Sequence, residues 1–358
     1  MRSLAIAAVL LTLCTSLRAQ DLPDYKPQMR VTGVLRSSGS AEMGPLIKRW
    51  EAGFKRLHPD VQFADGLKGD ATAIYGLDMR TADLALMGRP IFPYERYGVY
   101  ERSWVYPAFV EVATGSADRL RKSPAYAIFV HKDNPITKIS VHELDRVFGA
   151  QRDGGWNQLT WDTSIARKPN DDIRTWGGLG LASDWADKPI HPYGPPRLGA
   201  GAITYFQSRV MGGGELYNEE LREYADPKLM ISELGRDPLG IAYAPLAFAT
   251  AEVKAIAVSD TPRGPYVSLS RKTVADRTFP LHRPVYIYYT MDDAKTDITP
   301  TRGDPRVKEF LRYILSRQGQ AEVAREGSYL PLTADVVRAQ LKKLDSTEMP
   351  EEHQFMED

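Results

Sequence analysis

Residues 29–64 read MRVTGVLRSSGSAEMGPLIKRWEAGFKRLHPDVQFA. Met29 to Leu35 has the apolar alternation of a strand. Pro45 to Leu57 then sets Leu46, Ile47, Trp50, Phe54 and Leu57 at helical spacing, and Val61 to Ala64 returns to strand character. Pro45 suits a first helical turn, where its missing N–H is one of the donors a helix start leaves unbonded anyway. The stretch predicts a βαβ unit, which needs a sheet with parallel strands and helices packed on it.

The same texture continues outward. Leu84 to Met87, Tyr126 to Val130 and Ile190 to Tyr193 predict strands, as do Gly240-Ile241-Ala242-Tyr243, Val253 to Val258 and Pro284 to Tyr289. Helices are predicted over Val141 to Phe148 and Ile203 to Val210. Another is predicted over Pro305 to Val323, where Val307, Phe310, Leu311, Ile314 and Leu315 share a face, and a terminal helix closes the core. No internal repeat or low-complexity segment interrupts this α/β alternation, and Gly212-Gly213-Gly214 reads as a loop.

The 358 residues, 43% hydrophobic and 26% charged, have the composition of a globular protein of about two domains. The 46 basic and 46 acidic residues cancel, and there is no long basic block. Nucleic-acid binding, which needs an electropositive footprint, is therefore not expected. Met1-Arg2, an apolar run from Leu4 to Leu13 and Leu17-Arg18-Ala19 have the three parts of a cleavable signal peptide over residues 1–19. The run is too short to cross a bilayer as a helix, and no later segment reaches the length a span requires. The mature chain is expected in the periplasm or secreted, with net charge −2 after loss of Arg2 and Arg18. Cys14 is the only cysteine and lies inside the signal, preceded by Leu13 and not by the small residue a lipoprotein signal wants. The mature chain is thus expected to have no disulfide, thiol nucleophile or thiolate metal site.

Enzyme signatures are missing: there is no Gly-x-Ser-x-Gly elbow, His-Glu-x-x-His pair or phosphate-loop lysine. His58 at a helix end, His131 after a strand and His142 on a surface-type helix read as structural or solvent-facing. No cofactor or metal is expected. More informative are three glycine-containing junctions that lead into helices, because a helix N-terminus offers free N–H groups and partial positive charge to an anion. They are Ser37-Ser38-Gly39-Ser40-Ala41-Glu42-Met43, Lys68-Gly69-Asp70-Ala71-Thr72 and Arg197-Leu198-Gly199-Ala200-Gly201-Ala202. Singly, each is also explained as an ordinary cap.

Their order carries a resemblance, together with Trp50-Glu51-Ala52-Gly53-Phe54, Gly88-Arg89-Pro90 and Val130-His131-Lys132-Asp133-Asn134-Pro135. Thr175-Trp176-Gly177, Tyr193-Gly194, Arg283-Pro284, Gly319-Gln320 and Pro331-Leu332 continue it. From about Val31 to Leu332 the chain resembles the periplasmic phosphate-binding proteins of ABC transporters, the PstS-like group. The resemblance implies a type II periplasmic-binding-protein fold: two lobes, each a mixed sheet flanked by helices, with the ligand cleft between them. Lobe one would comprise residues 29–125 and 253–335 and lobe two residues 126–252. The strands Tyr126 to His131 and Val253 to Val258 would cross between them, and residues 336–358 would form an acidic C-terminal tail. It further implies a monomeric, non-enzymatic receptor that binds a small anion, phosphate, and presents it to an ABC permease without inserting stably in the membrane.

The resemblance places ligand contacts at Gly39, Ser40, Glu42, Gly69, Asp70, Ala71, Thr72, Arg197, Ala200, Gly201 and Ala202, and there the chain departs from the family. Glu42 stands for a threonine of a Gly-Ser-Asp-Thr start. Asp70 and Ala71 stand for the serines of Gly-Ser-Ser-Thr. Ala200-Gly201-Ala202 stands for Ser-Gly-Thr, with Arg197 displaced by about one residue. Each lost hydroxyl removes a donor worth ~1–3 kcal/mol to a buried charged oxygen. A carboxylate a few ångströms from a phosphate dianion opposes it by about 4 kcal/mol at an effective dielectric of 20. The expectation is a degenerate phosphate site, unless both acids turn outward as caps. Two alternatives remain open: the carboxylates fill the anion site from within, leaving a ligand-free scaffold or sensor, or the cleft takes a neutral or cationic solute. A secreted hydrolase is the less favoured class.

Overall fold

The computed structural model describes residues 22–103, 106–157, 160–196, 202–212, 216–291 and 303–346. The proposed signal peptide and the end of the chain lie outside them. The chain opens with β1 (Gly33–Gly39), α1 (Gly44–Lys55) and β2 (Val61–Gly66), the βαβ unit expected, with β1 and β2 parallel. Leu46, Ile47, Trp50 and Phe54 of α1 are buried against the sheet. The first strand lies later than the alternation indicated, because Met29 is 48% exposed and the pairing begins only at Gly33. Then come α2 (Ala73–Asp78), β3 (Leu84–Met87), α3 (Pro93–Ser103) and β4 (Ala108–Thr114). All four residues of β3 are buried, as fits an inner strand covered on both faces.

The chain next crosses to a second sheet with β5 (Tyr126–His131), β6 (Lys138–Ser140) and α4 (Val141–Phe148). Helix α4 starts on a reciprocal cap in which Ser140 and Glu143 bond each other's backbone N–H. A small hairpin of β7 (Gly155–Asn157) and β8 (Thr160–Asp162) precedes β9 (His191–Gly194), α5 (Ala202–Val210), β10 (Arg222–Glu223) and α6 (Pro227–Leu234). Then β11 (Gly240–Pro245), β12 (Val253–Ser259) and α7 (Arg271–Ala275) complete this half, and the chain returns through β13 (Pro284–Tyr289). Finally α8 (Pro305–Ile314), α9 (Arg317–Glu326) and α10 (Ala334–Asp345) pack on the first sheet.

The first sheet has the order β2-β1-β3-β13-β4 and the second β10-β9-β11-β5-β12-β6. Both mix parallel and antiparallel pairs, and each has its own apolar core. This is the two-lobed α/β architecture expected. Three details differ from the sequence expectation. First, β5 and β12 do not cross between lobes: they pair antiparallel with each other inside the second sheet, so residues from Val253 to Leu281 belong with the second core. The chain crosses instead at residues 115–125 and 282–283, which are tied by Gly115 N–H to the Arg283 carbonyl (2.7 Å) and Tyr126 N–H to the Leu281 carbonyl (3.2 Å). Gly115 is needed there, since a Cβ would stand 2.0 Å from the Ser123 carbonyl oxygen. Second, the long helix predicted over Pro305 to Val323 breaks at Leu315. The Ser316 hydroxyl accepts the Gly319 N–H and starts α9, and the Gln320 side chain amide bonds the Ile314 carbonyl at the break. Third, residues 336–345 are not tail: α10 buries Val337 and Leu344, one every two turns, against lobe one. Among the described residues no helix is long and apolar enough to cross a membrane.

Candidate ligand-binding cleft

Strands β1 and β2, and β1 and β3, run parallel, so their C-terminal ends lie along one edge of the first sheet. The loops leaving those ends meet there, which is where open α/β sheets take ligands. Ser40 follows β1, Gly69 and Asp70 follow β2, and Gly88 follows β3. The Gly69 N–H bonds the Gly39 carbonyl at 2.8 Å and the Ser40 N–H bonds Leu86 O at 2.9 Å, which locks the first two loops together and onto β3. Gly39 has φ +119°, and a Cβ on it would lie 2.2 Å from the Leu86 oxygen, so only glycine lets the loop turn so close to its neighbour.

These loops form one wall of a cavity of about 570 Å³ between the two sheets; the crossing segments and the second sheet supply the rest. Of the residues expected at the site, Ser40, Glu42, Gly69, Asp70 and Ala71 line it. Gly39 and Thr72 are not among the lining residues; the Thr72 hydroxyl donates to the Gly69 carbonyl at 2.9 Å. Arg197, Ala200 and Gly201 lie outside the described residues, and Ala202 is the first residue of α5.

Neither acid caps its helix. The Asp70 Oδ2 accepts the N–H of Gly88 at 3.1 Å, and Glu42 Oε2 accepts the Ser40 hydroxyl at 3.3 Å. Burial pushes the Asp70 carboxyl above its ordinary value. The Ser40 hydroxyl, the Gly88 N–H and the positive charges of Arg89 and Arg283 pull the other way. Lobe one thus presents two carboxylates that already hold a hydroxyl and an N–H facing the cleft.

Sequence reasoning missed the residues that oppose them. Gly88 is a hub: its N–H bonds Asp70, and its carbonyl accepts the Arg283 Nη2 at 2.8 Å and the Ser123 hydroxyl at 3.1 Å. A Cβ at Gly88 would lie 2.4 Å from Ser123 Oγ, so this contact also requires glycine. Ser123 and Arg121, both lining the cavity from the first crossing, have φ of +46° and +62°, a left-handed backbone that side chains other than glycine adopt at a cost. Arg283 is only 8% exposed and lies 5.5 Å from the Tyr126 ring centroid and 5.4 Å from that of Tyr205. It forms no ion pair with a described carboxylate, and its Nε, like the Tyr126 hydroxyl, has no hydrogen-bond partner among the described residues. A buried guanidinium with no carboxylate in ion-pair contact among the described residues and an unfilled N–H favours an anion that joins it. Gly88-Arg89-Pro90 and Arg283-Pro284 stood in the sequence, but only the fold brings residues 195 positions apart into contact.

The histidines read as structural or solvent-facing divide accordingly: His58 and His131 are buried and His142 is exposed. His58 is buried, stacked on Phe54 with ring centroids 4.3 Å apart, and bonded to the Tyr25 hydroxyl at 2.7 Å.

Comparison with known proteins gives this arrangement its kin. The family model of the PBP superfamily domain matches residues 26–318. The phosphate-binding protein PstS of Pseudomonas aeruginosa is 31% identical over 323 residues, covering 90% of each chain. That of Staphylococcus aureus is 23% identical over 315 residues, covering 87% of this chain and 82% of its own. Among solved structures, an ABC-type phosphate transport receptor from Vibrio cholerae superposes with a TM-score of 0.51 at 17% identity, covering 84% of this chain and 100% of its own. PstS from Borrelia burgdorferi gives 0.52 at 14%, covering 84% and 98%. The first relative spans nearly the whole length, and the family model embraces both sheets and the cleft between them, so the chain belongs to the PBP superfamily, in the group of the PstS phosphate-binding proteins.

Proposed function

We propose that this protein is an exported, monomeric solute-binding protein of a phosphate-type ABC importer, not an enzyme, whose cleft captures a tetrahedral oxyanion and presents it to a membrane permease. The observation that carries this is Arg283: a buried guanidinium with no ion-paired carboxylate among the described residues, on a cavity walled by both lobes. Its free N–H groups suit a bidentate grip on an oxyanion, worth more than neutral hydrogen bonds because both partners are charged. The PstS names of the relatives and the predicted signal over residues 1–19 support the oxyanion class and export. The two lobes, divided at the crossings 115–125 and 282–283, would close over the ligand, with Arg121 and Ser123 in the hinge.

The lobe-one contacts are not those the family pattern implies. Ser40 and Asp70 would still meet the ligand, but Asp70 as an acceptor. A carboxylate beside an anion is tolerated where a proton lies between them, so Asp70 favours an oxyanion that retains a proton near neutral pH. Inorganic phosphate keeps a proton near neutral pH, whereas sulfate is fully ionised there. Glu42 takes the Ser40 hydroxyl at 3.3 Å, a donor the ligand would otherwise use, and so weakens the site. Calorimetric titration of the mature protein tests this: phosphate should bind and sulfate should bind at least tenfold more weakly, and Arg283→Met should remove the phosphate heat. Equal affinity for the two anions would refute the role given to Asp70, and undiminished binding by the variant would refute the site.

A further inference from the structure

The buried pair Arg89–Glu95 makes none of the anion contacts described above, yet it stands directly behind them. Arg89 follows Gly88 at the end of β3, and Glu95 lies in the first turn of α3, where the helix N-terminus favours a carboxylate. Their side chains are 2% and 4% exposed and join in a two-pronged fork, Nη1 to Oε2 at 2.8 Å and Nη2 to Oε1 at 2.6 Å. Glu95 Oε2 also accepts the Phe92 N–H at 2.9 Å, and Arg89 Nη1 donates to the Pro90 carbonyl at 3.0 Å. The guanidinium lies 4.1 Å from the Phe92 ring centroid, and the Tyr288 hydroxyl of β13 accepts the Ile91 N–H at 2.8 Å. Each residue from Arg89 to Phe92 is thus held by at least one hydrogen bond.

A buried ion pair is a poor stabiliser, because the cost of taking both charges out of water offsets most of their attraction. What this pair does instead follows from where its turn begins. Gly88 gives its N–H to Asp70 and its carbonyl to Arg283 and Ser123, so the two peptide groups flanking Gly88 shape one wall of the cleft. The brace holds the second of them from its Arg89 end. The Arg89 charge also reaches Asp70: with the Ser40 hydroxyl, the Gly88 N–H and Arg283, it opposes the rise that burial imposes on that carboxyl. Glu42 on the same wall acts in the opposite sense, and the Tyr329 phenol near both acids is kept protonated by its own burial.

Resting on the oxyanion reading above, we infer that Arg89 is a positioning residue for anion selectivity: braced by Glu95, it holds Gly88 and keeps Asp70 an acceptor, so that the cleft prefers an oxyanion carrying a proton. Arg89 does not line the cavity and acts only through Gly88 and Asp70. The test is calorimetric titration of phosphate and of sulfate into the mature protein from about pH 5.5 to 8.5. Each variant is read against the parent at the same pH, so that the ionisation of phosphate itself cancels. The parent's phosphate-to-sulfate affinity ratio should fall at low pH, where a protonated Asp70 can donate to either anion. Arg89→Met combined with Glu95→Gln removes both charges and keeps an acceptor for the Phe92 N–H. It should move that fall upward by roughly 0.5–1 pH unit and lower the ratio about threefold near pH 6. Arg89→Lys keeps the charge and should leave the fall within ~0.3 pH unit of the parent's, whereas Glu95→Gln alone unmasks the cation and should move it downward. Equal loss of affinity for both anions in the double variant, with the parent's pH dependence, would overturn this inference and leave the pair a role in the fold alone. Should the double variant fail to fold, an unshifted fall in folded Glu95→Gln would overturn it equally. A parent that binds neither anion would refute the oxyanion reading itself, and one that binds both equally at every pH would refute the role of Asp70.

Discussion

Replacing Arg283 with methionine separates a binding arginine from a structural one. Among the described residues the guanidinium makes one hydrogen bond, to the Gly88 carbonyl at 2.8 Å, and no ion pair with a carboxylate. Losing that bond costs ~1.5–3 kcal/mol. Removing a buried, unpaired charge returns a penalty of similar size, and the methionine keeps an apolar stem against Tyr126 and Tyr205. Stability should therefore change by no more than about 1 kcal/mol, as read by urea unfolding. In the complex the balance is different. A charge pair at 4 Å and an effective dielectric of 20 is worth about 4 kcal/mol. After discounting for the solvated part of the cleft, about 3–4 kcal/mol remains, a loss of some hundred- to thousandfold in affinity. Calorimetry of the same preparation reads that loss. A variant that is several kcal/mol less stable but binds the anion unchanged would show that Arg283 serves the fold and that the cleft assignment is wrong.

Three further outcomes follow from the same geometry. Glu42→Thr removes a half-buried carboxylate, frees the Ser40 hydroxyl it holds at 3.3 Å and restores a donor, so phosphate affinity should rise about tenfold; no gain in a titration means that Glu42 faces away from the ligand. Tyr126→Phe deletes a hydroxyl that has no partner among the described residues and should raise stability by about 1 kcal/mol in thermal unfolding; a loss of that size means the hydroxyl is bonded in solution. Glu51 is buried and its carboxyl is pushed up to about 7 by that burial, with the neighbouring Lys48 opposing and Asp65 adding to the rise. An acid raised in the folded state stabilises it below the unfolded value near 4.5 and loses that contribution as pH climbs through about 7. Over those 2.5 pH units it amounts to about 3 kcal/mol, so Glu51→Gln should be more stable than the parent at pH 8 and converge with it near pH 4.5 in denaturant titrations. Parallel pH profiles would contradict this.

The fold was largely legible because local patterns coincide with whole elements. Leu84 to Met87, Val141 to Phe148 and Pro284 to Tyr289 have the bounds expected, and Leu46, Ile47, Trp50 and Phe54 make the buried face of α1. What failed was partnership, which no local pattern encodes. Val253 to Val258 reads as a strand in either lobe, and only its register against β5 assigns it to the second. The apolar face of α8 continues in phase past Ile314, so periodicity hides the break that Ser316 makes. The acidic composition after residue 345 obscured Val337 and Leu344 just before it. At the site, the loops at Ser40 and Asp70 were found because they follow strand ends, a sequence-local fact. Gly88, Ser123 and Arg283 were not, because their chemistry arises only where two crossing segments meet β3.

A crystal structure of the mature protein grown with saturating phosphate tests the central claim most directly. The account predicts tetrahedral density between the two sheets, with oxygens about 2.7–2.9 Å from the Arg283 guanidinium and within hydrogen-bond reach of Ser40. An empty cleft at saturation, or an anion bound only among Arg30, Arg36 and Arg306 on the far side of lobe one, would contradict it.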